Sequence, residues 1–293
     1  MNAPLKLQDT PRIECSPEEW EARVDLACLY RIVSHLGWHK SIIYNHISMR
    51  VPGPEVHFLL NPLGLMYTEI TASNLLKVDL KGRKVNPSPY PVHTAGFVVH
   101  SSVHRVREDV KCVIHTHSNA GVAVSCQEQG LLPINLGSMG LHDKIAYYDC
   151  QGVTNEADEC EQIAAALGKK NVLILRNHGL LTCGANAGEA FNLMRRLETA
   201  CEIQIMALAG GAKLSMPPMD VVSKTTGQTT MTMDQEANAK GAAADGPAML
   251  WAAVRRWMAK SIRAIRRNSG SARLIEPDSA FMTSSPRKAG IQA

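Results

Sequence analysis

Twice between residues 94 and 179 a segment of helical period runs straight into a short apolar strand. TAGFVVHSSVHRVRE (94–108) leads into VKCVIHTHS (110–118), and EADECEQIAAALGKK (156–170) leads into NVLILRNHG (171–179). A helix buries one stripe and a strand buries its faces, so this repetition points to helices layered on a sheet in one α/β domain. Upstream, SPEEW supplies a helix start, with Ser16 as N-cap, Pro17 at the first helical position and Glu19 three residues after the cap. That helix runs on through EARVDLACLYRIVSHLG and stops at Gly37. Short apolar segments follow (SIIYNHISMRV, EVHFLLNPLG and LLKVDLKGRKV), the last reading as a hairpin edge closed by a Lys-Gly turn. NPSPYPV (86–92) is a loop by its prolines, and AGEAFNLMRRLETACEIQIMALAGG is a further helix ending at a glycine pair.

These signals divide the chain into a flexible lead (1–15), an α/β domain (16–212), a disordered linker (213–247), a basic amphipathic helix (248–267) and a disordered tail (268–293). The linker assignment rests on small, polar residues without a period. In AMLWAAVRRWMAKSIRAIRR, apolar residues recur at 250, 251, 254, 257, 258, 262 and 265, with basic residues elsewhere. Such a helix docks on its own oligomer or meets an acidic partner.

The net charge of +4 is uneven. Residues 248–293 hold nine Lys/Arg against two Asp/Glu, and the remaining 247 hold 22 against 25. A mildly acidic body argues against nucleic acid as partner. No apolar run reaches the roughly 18–20 residues of a transmembrane segment, and the N-terminus lacks the apolar core of a signal peptide, so a cytoplasmic protein is expected. Eight scattered cysteines without a CxxC pair fit that expectation. Cys112, Cys150 and Cys183, in or beside apolar segments, read as buried thiols.

The chemistry lies in the histidines. In a strand, residues i and i+2 share a face, so His115 and His117 project side by side and can reach one cation. His178, on the turn opened by Gly179, can supply a third imidazole. Three histidines with an open position form a catalytic pattern, whereas structural zinc sites close with four protein ligands. Spacing alone also allows three unrelated core histidines. His100 and His104, four apart on one helix, read as packing residues. No GxGxxG or GxxxxGK[ST] is present, so nucleotide phosphate binding has no support.

Taken in order, YNHISMRV, FLLNPLGLMYTEITASNLLKVDLKG, AGFVVHS, REDVKCVIHTHS, GLLPI, NVLILRNHGLL and EAF…ACEIQ resemble the class II aldolase/adducin family over about residues 18–212. The phrasing is nearest the adducin head and its bacterial relatives. The resemblance implies a three-layer α/β/α sandwich with a central, mostly antiparallel sheet, and a homo-oligomer, commonly a tetramer. It implies a divalent metal at His115, His117 and His178, zinc first, with iron, manganese or cobalt as alternatives.

Two departures stand out. The glutamate that serves the aldolases as acid/base falls at Gly96, leaving Glu69, His93 and Tyr148 as substitutes for proton transfer. The phosphate-binding turns read NPLG (61–64) and NH (45–46), which counts against a phosphosugar and leaves His46 and Asn61 to bind substrate. Two functions follow from the resemblance. One is a metal-dependent lyase or related enolate enzyme acting on a small hydroxy-carbonyl or hydroxy-acid substrate. The other is an adducin-like, non-catalytic scaffold of the kind that serves the cytoskeleton in eukaryotic relatives.

Overall fold

The computed structural model describes residues 13–152, 157–238 and 246–269. Helix α1 (Pro17–His35) starts as its sequence demands, with the Ser16 hydroxyl accepting from the Glu19 N–H at 3.2 Å. It gives way to Gly37, whose φ of +73° lies in the left-handed region that favours glycine. The Glu19 carboxylate does not turn back to the cap. It takes Arg23 and Lys77, each at 2.8 Å, and so ties α1 to the sheet. Burial alone would raise the Glu19 carboxyl, but hydrogen bonds from Lys77 and Arg23 outweigh it and hold the group below its usual value.

Seven strands follow in chain order: β1 (His46–Arg50), β2 (His57–Leu60), β3 (Leu76–Asp79), β4 (Cys112–Thr116), β5 (Ile145–Tyr148), β6 (Val172–Leu175) and β7 (Gly179–Gly184). They form one sheet in the order β3-β2-β1-β4-β7-β6-β5. Every neighbouring pair is antiparallel except β5 and β6. β3 is one edge strand, and its chain turns back through Gly82 to a single bridge between Val78 and Lys84, the expected hairpin edge. The helices are α2 (Thr94–Val106), α3 (Asn119–Ser125), α4 (Leu136–Met139), α5 (Ala157–Leu167), α6 (Ala187–Ala209), α7 (Met219–Asn238) and α8 (Gly246–Ser269).

Strand alternation sorts the core into two layers. Cys112 and Ile114 of β4 pack with α1 and α6 residues such as Leu26, Leu29, Met194 and Leu197. Val113 packs with Val99 and Val103 of α2 and Ile163 and Leu167 of α5. β4 is therefore covered on both faces, with helices on either side of the sheet. This is the expected α/β/α sandwich.

Three expectations need correction. Most of the segment read as a linker is helix: α7 spans Met219–Asn238, while 239–245 lie outside the described residues. Its only described buried side chains are Val222 and Thr226, with the Thr226 hydroxyl donating to the Met139 carbonyl at 2.7 Å. Two positions one turn apart make a stripe too narrow to show as a hydrophobic period. Cys112 and Cys183 are buried, but Cys150 follows the end of β5 and is exposed. The basic helix is two residues longer at each end than expected. It docks on its own chain, burying Trp251, Val254 and Met258. Its acidic partner is α1: the Trp251 indole donates to Asp25 at 3.1 Å, and Arg255 pairs with Glu21 at 3.0 Å and with Asp25 at 3.5 Å. Residues 1–12 of the lead and 270–293 of the tail lie outside the described residues. No described helix is long and apolar enough to cross a membrane.

Candidate metal centre

β4 ends at Thr116, and the pleat sends His115 and the next alternate residue, His117, to the α2 side of the sheet. β6 closes at Leu175, and the chain turns through Arg176, Asn177 and His178 into β7. Asn177 takes a φ of +56°, which asparagine tolerates better than most residues. Because Thr116 pairs with Leu180, this turn lies against the end of β4 and brings His178 to the histidine pair. The approach depends on Gly179. A Cβ there would stand 2.4 Å from the Thr116 carbonyl oxygen and 2.9 Å from the His117 ring.

The ligating atoms of His115, His117 and His178 lie within 4.8 Å of one another, the one such cluster among the described residues. His115 Nδ1–H donates to the Leu180 carbonyl at 2.9 Å, which leaves its Nε2 as a bare lone pair. That Nε2 stands 2.8 Å from His117 Nε2. His117 is held at Nδ1 by the Ser41 hydroxyl at 2.9 Å and at its backbone N–H by the Asn45 side chain at 2.9 Å. With Ser41 accepting from Nδ1–H, two Nε2 lone pairs converge, an arrangement that a divalent cation stabilises. The residues present fit a metal.

Burial keeps all three rings neutral and able to ligate at pH 7. Desolvation first, then the neighbouring histidines, lowers His115 well below its ordinary value and His117 to about 4; desolvation also lowers His178. Removal of the Ser41 hydroxyl is expected to weaken zinc binding by roughly 10–100-fold, because an outer hydrogen bond sets ring orientation and tautomer. Competition of Ser41→Ala against a chromogenic chelator measures this. An unchanged affinity would assign His117's orientation to Asn45 alone.

Behind the pair, on the other face of β4, stands Glu198 of α6. It accepts from the Thr116 hydroxyl at 2.7 Å and from the Ser118 hydroxyl. Burial raises its carboxyl to about 7, against an ordinary 4.5, with the two hydroxyls opposing the rise. Between those values the folded protein keeps a proton that the unfolded chain has released. Stability therefore falls as pH rises across this window, by up to about 3 kcal/mol, and is flat on either side. Glu198→Gln should flatten this dependence in urea unfolding at pH 5 and pH 8. Equal pH dependence in the two proteins would rule out Glu198 as its source.

His46 lies directly opposite His115 in the β1–β4 ladder. Its ring fills the space in front of Gly96: a Cβ at position 96 would stand 2.3–2.5 Å from the imidazole. Gly96 is therefore more than a missing carboxylate, since another side chain occupies its place. His46 Nδ1 bonds Asn61 Oδ1 at 3.1 Å, its Nε2 is buried without a partner, and burial lowers it to about 3. Asn61 also accepts from Tyr30 at 2.9 Å, so it holds His46 in place. His93 caps α2, its Nδ1 accepting from the Gly96 N–H at 3.0 Å, and its ring lies 4.6 Å from that of His46.

The other proton-transfer candidates lie elsewhere in the chain. The Glu69 carboxylate caps its own 3₁₀ turn at the Met66 N–H, 2.7 Å away. Tyr148 is on β5, three strands from β4, with its hydroxyl donating to Gln162 at 3.2 Å. His100 and His104 are packing residues joined through the Ser48 hydroxyl at 2.7 and 2.8 Å. Ser41, Asn45 and Glu198 carry no local signal in the sequence, because their roles arise only across strands and layers.

Residues 24–205 match the family described as Class II Aldolase and Adducin N-terminal domain. A Pseudomonas aeruginosa protein named "Putative aldolase class 2 protein" is 48% identical over 223 residues, which cover 76% of this chain and 85% of that one. Mouse alpha-adducin is 45% identical over 190 residues, 64% of this chain but only 26% of the adducin. Among solved structures, an aldolase II superfamily protein from Pseudomonas syringae superposes with a TM-score of 0.76 at 42% identity, over 84% of this chain and 95% of its own.

Proposed function

This chain belongs to the class II aldolase and adducin N-terminal domain family, and from that premise we propose that it is a metal-dependent enzyme of the class II aldolase type. Its substrate is a small hydroxy-carbonyl or hydroxy-acid compound, and its chemistry that of a lyase or a related enolate reaction. The observation that carries this reading is the convergence of three imidazoles, with His115 Nε2 2.8 Å from His117 Nε2 and the ligating atoms of all three, His178 included, within 4.8 Å of one another.

His115, His117 and His178 hold the cation, zinc first and iron, manganese or cobalt next by donor type. When bound, the cation supplies Lewis acidity at a substrate oxygen. The Leu180 carbonyl and Ser41 fix the two strand imidazoles, and Asn45 fixes the His117 backbone. Asn61 Oδ1 accepts from His46 Nδ1–H, which fixes the His46 ring as a wall of the substrate site. His93 accepts from Gly96 at Nδ1 and therefore carries its proton on Nε2, which we put forward as the proton-transfer group. The turns at NPLG (61–64) and NH (45–46) favour an unphosphorylated substrate. The protein works as a homo-oligomer, a tetramer by family habit.

The test is turnover of small hydroxy acids and hydroxy-carbonyl compounds by metal-loaded protein, wild type beside His117→Ala. Metal-dependent turnover that disappears in the variant supports the enzyme. A second reading, a non-catalytic scaffold like the adducin head, draws on the identity to alpha-adducin and on the carboxylate-free position 96. Absence of turnover across that panel by fully loaded protein would favour it.

A further inference from the structure

The three-histidine centre brings no negative charge of its own. Among the described residues its ligating atoms are imidazole nitrogens alone, and the side chains next to them, Ser41, Asn45 and His46, are neutral. Helix α2, whose first turn faces His46, carries no acidic residue there. The exclusion is steric as well as compositional, since any side chain at position 96 would run into the His46 ring. Nor can that ring easily give way. It is 3% exposed, tied to Asn61, and flanked by the rings of His93 at 4.6 Å and His100 at 6.2 Å. The Glu198 carboxylate is across β4, engaged by the Thr116 and Ser118 hydroxyls.

A divalent cation in such surroundings keeps its full charge uncompensated, and a buried uncompensated charge is costly. We infer that the ligand completing this centre is a chelating anion, a 2-hydroxy carboxylate, taken in preference to neutral hydroxy-aldehydes and hydroxy-ketones. The carboxylate supplies the missing negative charge. His46 is the specificity-determining residue, because it keeps carboxylates of the protein itself out of the place beside the cation. The inference rests on the reading of His115, His117 and His178 as a cation centre.

The experiment uses the full chain loaded with cobalt(II), its metal content measured first. Lactate and hydroxyacetone are then titrated in turn, followed by calorimetry and by the visible cobalt spectrum. They share the hydroxyl and three-carbon frame and differ in charge. Lactate is expected to bind at least about tenfold more tightly and to shift the cobalt bands. The double variant His46→Ala/Gly96→Glu makes room for a carboxylate and installs one, so it should lose most of that preference while retaining cobalt. Equal or weaker binding of lactate by loaded wild type overturns the inference alone, whether or not the double variant folds. A chain that takes up no cobalt removes the cation centre and, with it, the inference.

Discussion

Arg23→Ala is expected to cost about 3–5 kcal/mol of folding stability, lowering the thermal midpoint by on the order of 10 °C. The Arg23 side chain is fully buried. It pairs with Glu19 and donates to the Ala72 and Leu75 carbonyls at 3.2 and 3.0 Å, so it joins α1 to the approach to β3. Its removal strands two buried carbonyls and leaves Glu19 with Lys77 alone. Breaking one side of a buried pair is more damaging than replacing both, because the remaining charge has lost its compensation. Urea unfolding of the variant measures the loss. A change under about 1 kcal/mol would mean that Lys77 and local rearrangement compensate for it.

Gly179→Ala is expected to cost about 3 kcal/mol and also to reduce metal uptake. The added methyl would meet the Thr116 carbonyl oxygen at 2.4 Å and the His117 ring at 2.9 Å. The first contact is with backbone inside a paired strand, so β7 or the end of β4 must move. Either movement separates His178 from His115 and His117. Loss of stability and loss of metal should therefore appear together in denaturant unfolding and elemental analysis. Stability lost with full metal retention would show that the turn can shift without opening the centre.

Legibility in the sequence followed the range of the interactions. The period-two placement of His115 and His117 is local, and so was readable. The Ser16 cap of α1 was readable for the same reason, and its geometry appears as expected. The helix–strand repetition gave the layered α/β class, and the motif order supplied the antiparallel sheet. What joins His178 to the pair is the β4–β7 register, which no local pattern reveals. The Ser41 contact with His117 spans 76 residues, and the Thr116 contact with Glu198 spans 82. Position 96 showed only an absence in the sequence, whereas the structure fills it with a residue fifty positions earlier in the chain, His46. α7 was hidden because two buried positions anchor its described part.

The measurement that bears most directly on the metal centre is elemental analysis of purified, tag-free protein, wild type beside His115→Ala. Close to one zinc, iron, manganese or cobalt per wild-type chain is expected, with a large loss in the variant and the fold retained by circular dichroism. The Nδ1 of His115 is committed to the Leu180 carbonyl, so ligation is the role left to its Nε2. Wild type that holds no metal after anaerobic reconstitution, or a variant that keeps full occupancy, would contradict the three-histidine centre.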